Sequence, residues 1–192
     1  MVKNVYAVGL MLFIATMVLF FGMYFFGMNV DYFNNSMLLN AFLLPVVYVA
    51  GAYYSVSSAK KLGFPMGFRA VFGSAFKPMF IGGLLSMLTM FVFLNFVDKD
   101  AKDLLNYQYI ERQKTELNKE YEKAKSTLKE EAEIKELDKN YHARLQSFSP
   151  EMIKNKDMFS FRQFTYYFGA VMVFYVILSV FFGSFFRSRI EE

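Results

Sequence analysis

DKDAKDLLNYQYIERQKTELNKEYEKAKSTLKEEAEIKELDKNYHARLQSFSPEMIKNKD, residues 98–157, decides how this chain folds. The stretch holds 14 of the 17 acidic side chains and 13 of the 21 Lys and Arg. It is dense in charge and nearly neutral. Around it the chain is apolar: 55% of the 192 residues are hydrophobic, and 25 are Phe. Between Lys3 and Lys60 the only charge is Asp31. Such segregation marks an all-α integral membrane protein with one extramembrane arm. The absence of Cys excludes disulfides and thiolate metal sites. A nucleic-acid binder would carry a basic patch interleaved with aromatics outside the apolar runs, and none stands there.

Three apolar runs precede the arm and one follows. Residues 5–28 carry no charge. A helix rises ~1.5 Å per residue and a bilayer core is ~30 Å thick, so ~20 residues cross it. The run is too long for a signal peptide and lacks a small-x-small cleavage site, so it reads as the first transmembrane helix. Residues 38–58 form the second span, with Pro45 as a candidate kink and Gly51/Ser55 as a small-xxx-small pair that admits a neighbouring helix. Residues 59–78 differ in kind. Phe64, Phe68, Phe72 and Phe76 recur every four positions, and Lys60, Lys61, Arg69 and Lys77 stand among them. The pattern predicts a short amphipathic helix lying in the headgroup zone, ending at Pro78. Residues 79–97 form the third span, with Gly82 and Gly83 as close-packing positions. Residues 160–186 form the fourth, with Ser179/Gly183 as a second small pair, and Arg187 and Arg189 make a basic tail. By domain, residues 1–97 hold three spans, 98–159 the arm, and 160–192 the last span and tail.

Within the arm, Asp98 and Asp100 suit a helix N-cap and Asp103 a first turn. Leu104, Ile110, Leu117, Tyr121, Ala124 and Leu128 recur at helical spacing, slip at 130–133, and resume with Ile134, Leu137, Tyr141 and Leu145. One straight helix would reach ~70 Å from the membrane, and the chain must still return. A helical hairpin of coiled-coil type breaking near 129–132 is the economical solution. Ser149-Pro150-Glu151 then caps a short helix.

Four spans place both termini on one side. The turn at 29–37 has no cation, whereas Lys3, Lys60, Lys61, Arg69, Lys77, Arg187 and Arg189 gather at the other end. The positive-inside rule puts the termini in the cytoplasm and the arm outside it. The arm's own 13 cations pull the other way, but loops near ~60 residues and longer translocate largely regardless of charge.

The order of parts resembles a known family. Gly51-Ala52-Tyr53-Tyr54 precedes Lys60-Lys61, and Gly63-Phe64 leads into Phe68, Phe72-Gly73 and Ala75-Phe76. A glycine-bearing span then runs into Phe93-Leu94-Asn95-Phe96-Val97-Asp98. This is similar to the domain of unknown function 4199 family, small four-span membrane proteins of Bacteroidota. The resemblance covers nearly the whole chain, although Lys99 stands where family members often have Pro. It implies a four-helix fold in a Gram-negative inner membrane and assigns no activity. The frequent neighbourhood of such genes to polyprenol-phosphate glycosyltransferases hints at partners.

Catalysis needs convergent titratable groups in a shielded pocket. The spans contain no interior Asp, Glu or His, which argues against an enzyme and against a proton-coupled transporter. His142 reads as a solvated arm residue. The aspartates at 98, 100 and 103 read as capping groups in preference to a cation site, and Met11, Met17, Met23 and Met28 fall on no common face that could hold copper. No cofactor and no metal site is expected. Two candidate surfaces remain. Lys60, Lys61, Arg69 and Lys77 with Phe64, Phe68, Phe72 and Phe76 could clamp an anionic membrane lipid. Leu117, Tyr121, Leu128, Leu137 and Tyr141 form an apolar strip that could hold a membrane-protein partner or a second copy. The expected function is a non-enzymatic accessory or scaffold subunit of an envelope complex. The alternative is a lipid-binding helper of a polyprenol-phosphate glycosyltransferase or lipid carrier, and the third reading is a small transporter.

Overall fold

The computed structural model describes residues 4–29, 31–61, 65–153 and 156–188. Among them the chain is helical with no strand. The helices are α1 (Val5–Gly27), α2 (Tyr32–Lys60), α3 (Phe68–Val97), α4 (Lys99–Thr127), α5 (Glu131–Gln146), α6 (Pro150–Ile153) and α7 (Phe161–Phe186). Four of them, α1, α2, α3 and α7, are long and apolar enough to cross a membrane. The outward faces are as apolar as the core: Phe26 is 91% exposed, Phe185 73% and Phe42 70%. A water-soluble bundle would place polar groups there, whereas lipid demands none.

Helix α3 is the hub, and α1, α2 and α7 all pack on it. Small residues create the seats. A Cβ on Gly82 would stand 2.8 Å from the Leu12 Cβ and 3.0 Å from the Gly9 carbonyl oxygen, so α1 and α3 cross with their backbones nearly touching. Gly83 receives the ring of Tyr175 from α7, and Gly51 of α2 receives Leu12. Leu12, Ala52, Val56, Val71, Ala75, Met79, Tyr175 and Phe182 close the core. Without a hydrophobic force between helices in lipid, such close packing is what holds them together.

The wide turn at Leu39–Leu43 is a π-helical segment placed directly before Pro45. Pro45 lacks an N–H and its ring would strike the Ala41 carbonyl in a regular helix; the wider turn relieves that clash. A second π turn, Phe93–Val97, ends α3 and hands the chain to Asp98.

Two sequence expectations are corrected. The second span starts at Tyr32, six residues earlier than expected, because Asn34, Asn35 and Ser36 are accommodated as its first turns. The headgroup helix at 59–78 is not a separate element. Residues 68–77 are the opening turns of α3, which continues through a buried Pro78. Its continuity rests on packing: Phe68, Phe72, Phe76 and Phe80 stack in one ladder along the helix, and the Pro78 carbonyl lies against Gly9 of α1. Proline is tolerated inside such helices when neighbours support the interrupted turn. Phe64, Lys3 and Arg189 lie outside the described residues.

Helices α4 and α5 form an antiparallel hairpin linked by residues 128–130. Tyr121 and Tyr141 stack with centroids 4.1 Å apart. The Tyr121 hydroxyl donates to Asp138 at 2.6 Å, Tyr141 donates to Asn118 at 2.8 Å, and Arg144 reaches Glu120 at 3.3 Å.

Candidate functional site

The polar groups that decide the arrangement sit where the hairpin meets the bundle. Asp98 is the N-cap of α4: its carboxylate accepts from the Ala101 N–H at 3.0 Å, satisfying an orphan donor of the first turn. The same carboxylate accepts from the Tyr24 hydroxyl of α1 at 2.5 Å. Asp157, at the other end of the hairpin, accepts from Lys102 at 3.1 Å, from Asn106 at 3.0 Å and from the Phe159 N–H at 2.8 Å. Asn95 donates to the Phe159 carbonyl at 3.0 Å and accepts from Lys102 at 3.3 Å. The two strands of chain that leave and re-enter the bundle are thus tied to each other and to α1. Tyr32, Leu94, Ala101 and Leu105 form a second apolar core beneath this network.

Gln108 reaches sideways from α4 to the start of α2. Its carbonyl accepts from the Phe33 N–H at 2.7 Å and its amide donates to the Asn29 carbonyl at 2.8 Å. The N-cap residue of that helix, Asp31, makes no side-chain capping bond, so Gln108 supplies one from another helix. Arg112, one turn further, donates to Asn34 at 3.1 Å and pairs with Glu116 at 2.8 Å. Between these contacts lies a groove of about 960 Å³, lined by Phe33, Met37, Leu104, Tyr107, Arg112 and Glu116 among others. Among the described residues no cluster of three His, Asp or Glu could hold a metal ion.

The network fixes protonation. Hydrogen bonding from Tyr24, and then from the Ala101 N–H, holds the Asp98 carboxyl below its ordinary value of 3.8. Burial pushes Asp157 upward, but the bonds from Asn106, Phe159 and Lys102 outweigh it and the net direction is down. A carboxyl with a depressed folded value binds its proton more readily when unfolded. Its contribution is therefore complete above about 3.8 and disappears as the pH falls through the lower folded values. The hairpin base is expected to stay protected at neutral pH and to lose protection only below that window. Hydrogen exchange at the Ala101 and Phe159 amides measures this. Protection lost already near pH 5–6 would contradict the assignment.

The sequence-predicted residues fall in two other places. Lys60, Lys61 and Arg69 are exposed at the end of the bundle opposite the hairpin, with Arg187 beside them in the fold. A reciprocal pair of bonds ties that end: the Ser188 N–H donates to the Met66 carbonyl at 2.9 Å, and the Met66 N–H donates to the Ser188 hydroxyl at 3.1 Å. Lys77 is exposed but ~13 Å further along α3, at ~1.5 Å per residue from Phe68. The structure therefore separates Lys77 from the other three cations. Phe68 lies over Gly183 of α7, and Phe80, which continues the ladder, meets Phe168, so the ladder serves helix packing. In the hairpin strip, Leu117 is buried and Tyr121, Leu128, Leu137 and Tyr141 are half-buried. The strip is turned inward between α4 and α5. His142 is exposed, its ring edge against Tyr141. Sequence reasoning missed Tyr24, Asn95, Lys102, Asn106, Gln108 and Asp157. One signal was present: Asn95 is a lone amide at the end of an apolar span.

Four membrane-crossing helices gathered on one hub, with a polar hairpin between the third and the fourth, are those of a multi-pass membrane protein. More particularly, residues 7–188 match the family described as protein of unknown function DUF4199, and the chain belongs to it. No curated protein and no solved structure matches the chain.

Proposed function

We propose that the chain is a non-enzymatic accessory subunit of the inner membrane, which presents the α4–α5 hairpin to a membrane-protein partner. One observation carries the reading: the hairpin is locked to the bundle at its base through Asp98 to Tyr24, Gln108 to the start of α2, and Lys102, which Asp157 holds, to Asn95. A solvated loop needs no such anchoring, whereas a docking arm gains affinity from being held in one direction. The apolar strip that could have recruited a partner is used internally. The contact surface moves instead to the groove beside α2, where Tyr107 is 64% exposed at the wall. Aromatic and arginine side chains such as Tyr107 and Arg112 are the types that dominate interfaces. The cations at the far end favour a cytoplasmic position for that end and an extracytoplasmic hairpin. At ~1.5 Å per residue, α3 exceeds a ~30 Å core by about ten residues, which puts Arg69 in the headgroup layer.

Purification from native membranes in mild detergent tests the proposal. A partner is expected at fixed stoichiometry, and Tyr107→Glu is expected to weaken its retention at least about ten-fold. Arg144→Ala, on the exposed side of α5, should leave it unchanged. A complex indifferent to Tyr107→Glu, or no complex from native membranes, would sink this reading.

A further inference from the structure

Helices α2 and α7 meet only sparingly, and the gap between them is a second groove of about 610 Å³. Its walls are Pro45, Val46, Val49, Ala50 and Tyr53 on one side and Phe174, Phe181, Phe182 and Phe186 on the other. Almost no polar surface lines it. Ala50 is small and leaves room on the α2 side, while on the α7 side the Phe181 ring packs tilted against Phe185 at 4.5 Å and Phe182 against Phe186 at 5.3 Å. From Phe174 to Phe186 the groove runs ~18 Å, a little more than the ~15 Å depth of one leaflet of a ~30 Å hydrocarbon core. It therefore follows one leaflet, the one at the cationic end.

The mouth is charged. The Lys60 ammonium sits over the Phe186 ring, 5.6 Å from its centroid, and the Tyr53 ring packs against the same Phe186 at 5.9 Å. Lys60 is two helical turns beyond Tyr53, on the same face of α2. It is exposed and forms no ion pair among the described residues. Arg187 follows Phe186 directly. Among the described residues, every acidic side chain lies at the hairpin end of the molecule. An apolar slot one leaflet deep, closed by a lysine with no acidic neighbour, matches one kind of molecule. We infer that the α2–α7 groove holds an anionic phospholipid, with an acyl chain between Ala50 and Phe181 and the phosphate on Lys60. The site is independent of the hairpin groove, so either assignment stands or falls alone.

The chain has no Trp, so one engineered Trp reports on one place. Phe181→Trp, at a half-exposed groove position, is placed in vesicles containing acyl-brominated phosphatidylglycerol or acyl-brominated phosphatidylethanolamine. Half-quenching is expected at about five-fold less phosphatidylglycerol than phosphatidylethanolamine, the effect of one lysine at a membrane surface. Lys60→Gln in the same background should abolish the preference without disturbing the fold, because Lys60 is exposed. Leu10→Trp in the otherwise unchanged chain, at a similar depth on the outer face of α1, should show no preference. Equal quenching of the Phe181→Trp protein by both lipids would overturn the assignment, since the groove then holds only bulk lipid. So would a preference that survives Lys60→Gln, or the same preference in the Leu10→Trp protein.

Discussion

Asp157→Ala is expected to undock the hairpin at a cost of about 2–3 kcal/mol. Three donors converge on this carboxylate: Lys102, Asn106 and the Phe159 N–H. Removing it leaves a partly buried ammonium and amide without this acceptor, and a hydrogen bond to a charged group contributes ~1.5–3 kcal/mol net where it is well buried. Lys102 is 18% and Asp157 34% exposed at the side chain, so water replaces part of what is lost and the sum is well below three full bonds. Asp157→Asn keeps one acceptor oxygen and loses the charge, and about half the effect is expected. Hydrogen exchange read by mass spectrometry separates the outcomes. The α4–α5 amides should exchange faster while those of α1 and α3 keep their protection. Unchanged exchange in α4 would mean that the apolar contact among Tyr32, Leu94, Ala101 and Leu105 holds the hairpin unaided.

Gly82→Val is expected to cost about 3 kcal/mol within the bundle. The first added carbon alone meets the Leu12 Cβ at 2.8 Å and the Gly9 carbonyl at 3.0 Å. Neither can yield: one is the root of a buried side chain and the other is backbone. Gly82→Ala sets two effects against each other. It gains up to ~1 kcal/mol of helix propensity, and it incurs ~1–3 kcal/mol of overpacking, so a net loss remains. Gly22 supplies the contrast, since nothing lies within 4 Å of an added Cβ there. Gly22→Val should fall within about 0.5 kcal/mol of the parent. Unfolding titrations in mixed micelles measure all three. Gly82→Val and Gly22→Val of equal stability would refute the close crossing of α1 and α3.

The four spans and the charged hairpin were legible because both are local signals. Hydropathy over some twenty residues marks a span wherever it packs, and the slip in the apolar repeat at 130–133 marked the turn that the structure makes at 128–130. The small residues at Gly51, Gly82, Gly83 and Gly183 were also readable as contact points, though not their partners. What remained hidden depends on residues distant in sequence. Pro78 suggests a bend when read alone, and only the stacked Phe ladder and the approach of α1 keep α3 continuous. Asp157 looks like one more acid in a charged loop until the fold brings Lys102 and Asn106 to it. The Phe repeat every four positions reads as a stripe along one side of a helix; that Phe68 also rests on Gly183 of α7 depends on a residue more than a hundred positions away. The α2–α7 groove left no trace in either helix alone, because it consists of what two helices fail to fill.

The paired bonds between Met66 and Ser188 join positions 122 residues apart, at the start of the hub helix and just past the end of the last one. Synthesis proceeds from the N-terminus, so α1 and α2 can settle on α3 while the ribosome is still making the hairpin. The Gly83 notch and the lead-in to α3 have no occupant until the final span arrives. The bundle's closing contacts, Tyr175 in the Gly83 notch and the Met66–Ser188 pair, are thus supplied by the part of the chain that is made last, at the end remote from the hairpin.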